Sequence, residues 1–284
     1  MSVTPAPAGL QSAVSLANGV MMPRVGLGTY KSSEDEVEHA LIDALEIGYR
    51  CTDTASFYGN ERGVGRALAA SPVPRDDVFV STKVWNTEQG YDATIQALED
   101  SLERLGTGHI DLYLIHWPLP GREFERTRET WRAMEEALAE GCARSIGVCN
   151  FLEHHLKALE ATAKVSPMVD QIELHPRLQQ PELTHYCQER GIVVQAWAPL
   201  MKGRIEEVPE LVVIGAHHGR TPAQVALRWG LQKGFVVIPK SVHRERIQEN
   251  ADVFGFELSA DEMARIDAQD AGERLGPDPD HPPV

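Results

Sequence analysis

The feature that most constrains this chain is a rhythm: eight short apolar runs, each followed by a segment with helical periodicity. The runs are RVGLGTY (24–30), YRCTDTA (49–55), VFVSTKVW (78–85), IDLYLIHW (110–117), ARSIGVCNF (143–151), MVDQIELHP (168–176), IVVQAWAPL (192–200) and FVVIPKS (235–241). They read as continuous apolar stretches, as expected of parallel strands covered by helices. The segments between them carry helix signals. In 32–48, Ser33 and Glu36 match a capping box, Val37, Leu41, Ala44 and Leu45 form one stripe, and Gly48 supplies a stop. Further on, Ile95, Leu98, Leu102 and Leu105 fall at three-four-three spacing, and WRAMEEALAEG (131–141) reads as the helix after strand four. Thr221 and Pro222 open another helix as cap and first residue. Eight βα units in 284 residues predict a (β/α)8 barrel, with an open doubly wound sheet as the alternative.

Other segments fit around that frame. Residues 10–23 predict an N-terminal hairpin with Asn18-Gly19 as a two-residue turn, placed to plug the barrel bottom. The long interval 202–220 predicts an extra loop or short helix, 259–269 a late helix, and 272–284 an irregular tail. With no linker in sight, 1–284 is expected to be a single domain. The net charge of −15 argues against partners such as nucleic acid or an acidic membrane surface. No stretch approaches the roughly 20 apolar residues of a membrane span. Residues 1–23 lack the basic start of a secretory signal, so cytoplasm is the default expectation. The four cysteines show no metal-type spacing and are expected to be reduced thiols, and no metal site is expected.

Active sites of such barrels lie at the C-terminal ends of the strands. There strand two presents Asp53 with Tyr58 on the following loop, strand three presents Lys83, and strand four presents His116. Singly, each has an ordinary explanation: a turn cap, loop packing, a snorkelling lysine, a rim histidine. Together, on three consecutive strands, they point to chemistry. The GLG (26–28) and GVG (63–65) stretches lack the third glycine of a dinucleotide fingerprint.

The stretches GLGTY (26–30), DTASFYGNE (53–61), STKVW (81–85), DLYLIHWP (111–118), SIGVCNF (145–151), QIELHP (171–176), AWAPL (196–200) and IPKSVHRERIQEN (238–250) together resemble the aldo-keto reductases. The similarity is greatest to the bacterial 2,5-diketo-D-gluconate reductase branch. The resemblance implies a monomeric barrel that reduces aldehydes and ketones with NADPH and uses no metal. Asp53, Tyr58, Lys83 and His116 match its catalytic tetrad. Gly28, Thr29, Cys149, Asn150, Gln171, Trp197, Ala198, Leu200, Ile238, Lys240, Ser241, Val242, Arg246, Glu249 and Asn250 match its cofactor positions. Among these, Trp197 is expected to stack on the nicotinamide, Asn150 and Gln171 to hold its carboxamide, and Glu249 and Asn250 to reach the adenine. Tyr30, Trp85, Trp117 and His116 match its substrate pocket.

The chemistry explains the residue types. Hydride reaching a carbonyl carbon leaves charge on oxygen, which needs a proton donor. A tyrosine of pKa about 10 holds its proton at neutral pH. A neighbouring ammonium, Lys83, is expected to lower that pKa, with Asp53 keeping the lysine charged. Neutral His116 would donate a hydrogen bond to the carbonyl oxygen. Two departures from the family stand out. Cys149 replaces the usual serine, a weaker hydrogen-bonding group, and the short tail implies a more open pocket. Two rival readings are a Schiff-base lyase using Lys83 and a nucleotide-sensing partner without turnover.

The cofactor match also carries a prediction. Lys240, Ser241 and Arg246 cluster where strand eight leads into its helix, the position that binds the adenosine 2′-phosphate in the family. A charge-assisted hydrogen bond contributes roughly 1.5–3 kcal/mol. Arg246→Ala is therefore expected to weaken NADPH binding about tenfold to hundredfold and leave NADH nearly unchanged. Titration calorimetry with both cofactors checks this; equal losses would assign Arg246 to the helix and not to the phosphate.

Overall fold

In the computed structural model, which describes residues 9–283, every apolar run contributes a strand to one parallel sheet. A hairpin, β1 (Ala13–Ser15) and β2 (Met21–Pro23), comes first. The sheet strands are β3 (Leu27–Gly28), β4 (Cys51–Asp53), β5 (Phe79–Val84), β6 (Leu112–Ile115), β7 (Ile146–Cys149), β8 (Val169–Glu173), β9 (Val193–Trp197) and β10 (Val236–Val237), each paired with the next. The sheet closes on itself: Val25 bridges Val237 and Gly28 bridges Lys240, both in parallel. Gly26 N–H donates to the Val237 carbonyl at 2.9 Å, and Gly28 N–H to that of Pro239 at 3.1 Å. The result is a (β/α)8 barrel with paired edges. Gly28 is required at the seam, since a Cβ there would lie 2.8 Å from the Ile238 carbonyl oxygen.

The helices are α1 (Glu34–Ile47), α2 (Glu61–Ala70), α3 (Tyr91–Leu105), α4 (Phe124–Glu140), α5 (Glu153–Glu160), α6 (Pro181–Glu189), α7 (Pro209–His218), α8 (Pro222–Gln232), α9 (Arg244–Ala251) and α10 (Ala260–Asp267). Eight follow the strands; α7 and α10 are the additions near the C-terminus and pack against each other. None is long and apolar enough to cross a membrane. The expected caps are present: Ser33 and Glu36 form a capping box on α1, Gly48 ends it in the left-handed region, and Thr221 with Gln224 caps α8. Helix α4 begins seven residues before the expected start. Its first two turns bury Phe124, Thr127 and Thr130 rather than aliphatic residues, so no apolar stripe announces them.

The hairpin differs from expectation in its turn. Leu16 N–H donates to Val20 O, and Gly19 N–H to Leu16 O, with Gly19 at φ 87°. The loop therefore has three residues, Ala17, Asn18 and Gly19: a type I turn closed by a left-handed glycine, which uses the same Asn-Gly pair as the two-residue turn. The hairpin buries Leu16 and Met22 in the core, and Asn18 donates to the Arg144 carbonyl just before β7. It thus covers the N-terminal end of the barrel, opposite the candidate site.

The GVG stretch also finds its reason here. Gly63 and Gly65 lie on α2 where neighbouring helices press closest. A Cβ on Gly63 would lie 2.1 Å from the Glu34 carbonyl oxygen of α1, and one on Gly65 would lie 2.7 Å from that of Leu105 at the end of α3. Because the obstacle is backbone, it cannot swing aside. Gly63→Ala is expected to lose about 2 kcal/mol net of improved helix propensity, lowering Tm by roughly 4–8 °C. Gly108→Ala, where a Cβ meets nothing within 4 Å, is the calorimetric control and should leave Tm unchanged.

Candidate active site

Lys83 is wholly buried near the end of β5, and a buried ammonium needs a partner for every N–H. It has three. Nζ donates to Asp53 Oδ2 at 2.6 Å, to the Thr54 carbonyl at 2.8 Å and to the Tyr58 hydroxyl oxygen at 3.4 Å. Asp53, the last residue of β4, uses its other oxygen to accept from Gln171 Nε2 at 2.7 Å. Tyr58 ends the one-turn 3-10 helix Ser56–Tyr58. Because the lysine donates to its oxygen, the hydroxyl hydrogen is left to point elsewhere. His116, just beyond β6, packs edge-on to Tyr58 (5.6 Å between centroids) and to Trp85 (5.0 Å). The four residues singled out in sequence therefore meet at one point of the barrel mouth.

The electrostatics correct one expectation. Burial pushes the Tyr58 phenol well above its usual 10, and Asp53, Cys149 and Tyr30 push the same way. The Lys83 ammonium, 3.4 Å from the hydroxyl, does not outweigh burial, so the net direction is opposite to the one expected and the phenol keeps its proton. The Tyr58 ring is partly accessible while its hydroxyl end is enclosed. His116 moves the other way: burial, reinforced by Lys83, holds it well below 6.5, so the imidazole is neutral. Among the described residues, its Nδ1 is buried without a partner. The geometry also removes the Schiff-base reading, since all three Lys83 donors are committed and no lone pair is directed into the mouth.

The residues expected at the nicotinamide form one network. Asn150 Nδ2 donates to the His116 carbonyl at 3.0 Å and to Cys149 Sγ at 3.1 Å, and Asn150 Oδ1 accepts from Trp197 Nε1 at 2.9 Å. Cys149 Sγ lies 3.6 Å from Gln171 Oε1, and burial keeps this thiol protonated by raising its pKa well above 9. Gln171 also donates to Gln195, so both its amide protons are engaged and it orients Asp53 as well. Asn150 (φ 61°) and Ala198 (φ 51°) sit in the left-handed region without being glycine, a strain that concentrates at functional sites. Thr29 Oγ1 donates to the Asp53 carbonyl at 2.9 Å, and Leu200 caps the one-turn helix after β9.

The residues expected at the phosphate and adenine cluster around the start of α9. Lys240 and Arg246 are exposed and take part in no ion pair among the described residues, whereas Arg244 between them is held by Asp43 and Glu46. Two uncommitted cations beside a helix start suit an anionic group. Ser241 is engaged in its own turn, accepting from His243 N–H at 3.1 Å, and Glu249 accepts from Thr221 Oγ1 at 2.6 Å. Asn250 and Ile238 are buried, and Val242 is half-buried.

On the substrate side, the Tyr30 ring lies 5.0 Å from that of Tyr58. Trp85 is stacked at 3.8 Å by Phe57, a residue the sequence reading passed over although Phe57 is 51% exposed. Trp117 is buried, with its carbonyl accepting from Gln89. The tail is irregular, as expected, but fastened over the mouth. Leu275 and Gly276 N–H donate to Glu173, Asp280 accepts from His154 at 2.8 Å, and the Pro283 carbonyl accepts from Asn86 at 2.6 Å. The tail is thus tied to the barrel at three places: Glu173, His154 and Asn86. A separate cavity of about 420 Å³ lies between Leu119, Phe124, His155 and Asp280 and contains none of the four central residues.

A barrel whose mouth joins a buried Asp–Lys pair to a tyrosine and a neutral histidine defines a class of carbonyl reductases. The chain belongs to the aldo/keto reductase family, whose model matches residues 16–271. It is 48% identical over 275 residues to the glyoxal reductase of Bacillus subtilis (strain 168), covering 96% of this chain and 98% of that one. It is 45% identical over 269 residues to the methylglyoxal reductase DkgA of Escherichia coli O157:H7, covering 94% and 96%. A crystal structure of a Gox0644 mutant in complex with NADPH superposes with a TM-score of 0.91 at 42% identity, covering 96% of this chain and 99% of that one.

The opposite shifts of the two central groups predict a pH profile. Tyr58 keeps its proton below its raised pKa, and His116 stays neutral above its lowered one. The kcat/KM for carbonyl reduction is therefore expected to be flat between roughly pH 7 and 9. A fall centred inside that window, with protein and cofactor intact, would show that one of these groups titrates there.

Proposed function

We propose that Tyr58 is the proton donor for carbonyl reduction by this enzyme, with Lys83, Asp53 and His116 in support, and that its substrates are small dicarbonyls. The chain is an oxidoreductase that reduces aldehydes and ketones with NADPH. The observation that carries the reading is the hydrogen-bonded line Asp53–Lys83–Tyr58 beside a neutral His116.

Bound NADPH supplies the hydride that adds to the carbonyl carbon. Tyr58 delivers its hydroxyl proton to the carbonyl oxygen as charge develops there. The phenolate left behind faces the Lys83 ammonium at 3.4 Å, a positive charge placed to stabilise it as the proton leaves. Asp53 holds the lysine in place, and Gln171 holds Asp53. His116 donates from a ring N–H to the carbonyl oxygen and orients it. Trp197, Asn150, Ala198 and Leu200 would bind the nicotinamide end, and Lys240, Ser241 and Arg246 the 2′-phosphate. Gly28, Thr29, Ile238, Val242, Glu249 and Asn250 complete the cofactor positions. The continuous core supports a single domain across the chain.

The substrate class rests on two facts. Relatives at 48% and 45% identity carry the names glyoxal and methylglyoxal reductase. The second is the aromatic stack of Phe57 on Trp85 beside His116, a flat apolar wall that suits a small carbonyl compound. The resemblance to the 2,5-diketo-D-gluconate reductase branch adds keto sugars as the competing class.

A steady-state screen of kcat/KM with NADPH over glyoxal, methylglyoxal, keto sugars and aromatic aldehydes should rank the small dicarbonyls first. A keto sugar in first place would reassign the pocket. Tyr58→Phe should lower kcat at least about a hundredfold, the scale of lost general-acid catalysis, while NADPH binding by calorimetry stays within about twofold. Near-normal turnover of that variant would remove Tyr58 from the donor role.

A further inference from the structure

Glu173 ends β8 as a fully buried carboxylate, and the tetrad chemistry gives it no part. Burying an ionised carboxylate requires donors, and Glu173 draws two of them from the far end of the chain. Leu275 N–H donates to Oε1 at 2.7 Å and Gly276 N–H to Oε2 at 2.9 Å. His175 Nε2 lies 3.2 Å from Oε1, and the Arg274 guanidinium lies 3.9 Å from Oε2. Burial raises the pKa of this carboxyl, but the hydrogen bonds from His175, Leu275 and Gly276 outweigh it and hold the group below its ordinary range.

What those two amides carry with them is the point. Gly276 lies against Trp197 so closely that a Cβ would stand 2.5 Å from Cη2 and 3.2 Å from Cζ2 of the indole. The preceding Leu275 carbonyl accepts from Lys202 Nζ at 2.8 Å, and that ammonium stands 5.6 Å from the Trp197 ring centroid. On the same long edge of the indole, Nε1 donates to Asn150 Oδ1. Trp197 is therefore gripped along one edge at two places: by Asn150 at the pyrrole end and by the Glu173-held segment at the benzo end.

We propose that Glu173 is a positioning residue for the cofactor: by holding Leu275 and Gly276 it seats the C-terminal segment against Trp197 and sets the plane that this ring offers to the nicotinamide. The inference rests on Trp197 being the nicotinamide wall, as read above. A merely structural Glu173 would affect unfolding alone. A positioning Glu173 affects the affinity of both NADPH and NADH, since the nicotinamide is common to both, and its effect runs through the indole.

The test is a cycle read by calorimetric titration of NADPH and NADH, with Tm recorded in parallel, on the wild type, Glu173→Gln, Gly276→Ala, Trp197→Phe and Gly276→Ala/Trp197→Phe. Phenylalanine lacks the Cζ2 and Cη2 atoms that Gly276 touches. Glu173→Gln and Gly276→Ala are each expected to weaken both cofactors by about three- to tenfold. In the Trp197→Phe background, Gly276→Ala should change affinity less than about twofold. Unchanged affinity in Gly276→Ala, or the same loss with and without Trp197, overturns the proposal, and Gly276→Ala keeps this decisive if Glu173→Gln fails to fold. If Trp197→Phe alone leaves both affinities intact, the nicotinamide-wall reading fails and takes the proposal with it.

Discussion

The site depends on the buried pair between Lys83 and Asp53. An ammonium and a carboxylate at 2.6 Å inside a barrel are tolerated only as a pair, because removing one partner leaves the other charged in an apolar interior at about 3–5 kcal/mol. The pair is not an economical way to stabilise a core. Its use lies in placing a fixed positive charge under a tyrosine hydroxyl that burial keeps protonated. The rest of the mouth serves that placement: Thr54 takes the third lysine proton, Gln171 fixes the second oxygen of Asp53, and Thr29 ties the Asp53 carbonyl to β3. Burial thus acts twice, keeping a proton on Tyr58 and keeping one off His116.

The barrel makes this possible by register. Adjacent parallel strands carry their ends to one level, so Asp53, Lys83 and His116, separated by about thirty residues each in sequence, become neighbours. Closure imposes its own demands. Gly28 is bare because the Ile238 carbonyl approaches it, and Gly63 is bare because α1 does. One completes a sheet and the other lets two helices touch.

Much of this was legible in the chain because its local signals agree with one another. Apolar runs, the Ser33–Glu36 box, the Thr221–Pro222 start and the Gly48 stop each describe a segment through its own residues, and each reappears in the structure. The four central residues were legible for a similar reason: in a barrel, a polar residue at a strand's C-terminal end is already assigned to the mouth. Where the reading missed, the missing information was not local. The first turns of α4 bury threonines because Gln89 is there to bond Thr127, and the Asn18-Gly19 pair fits a turn of two residues or of three.

By itself, then, the sequence determined the order of the eight strands and the helices between them, and the strand ends at which Asp53, Lys83, Tyr58 and His116 meet. Side-chain periodicity and strand-end position are properties of neighbours along the chain. Only the tertiary structure decided the direction of the Tyr58 shift, the stacking of Phe57 on Trp85, and the fastening of the tail to Glu173 with Gly276 against Trp197. Each of these depends on desolvation or on contact between residues far apart in sequence, and neither exists until the barrel has closed.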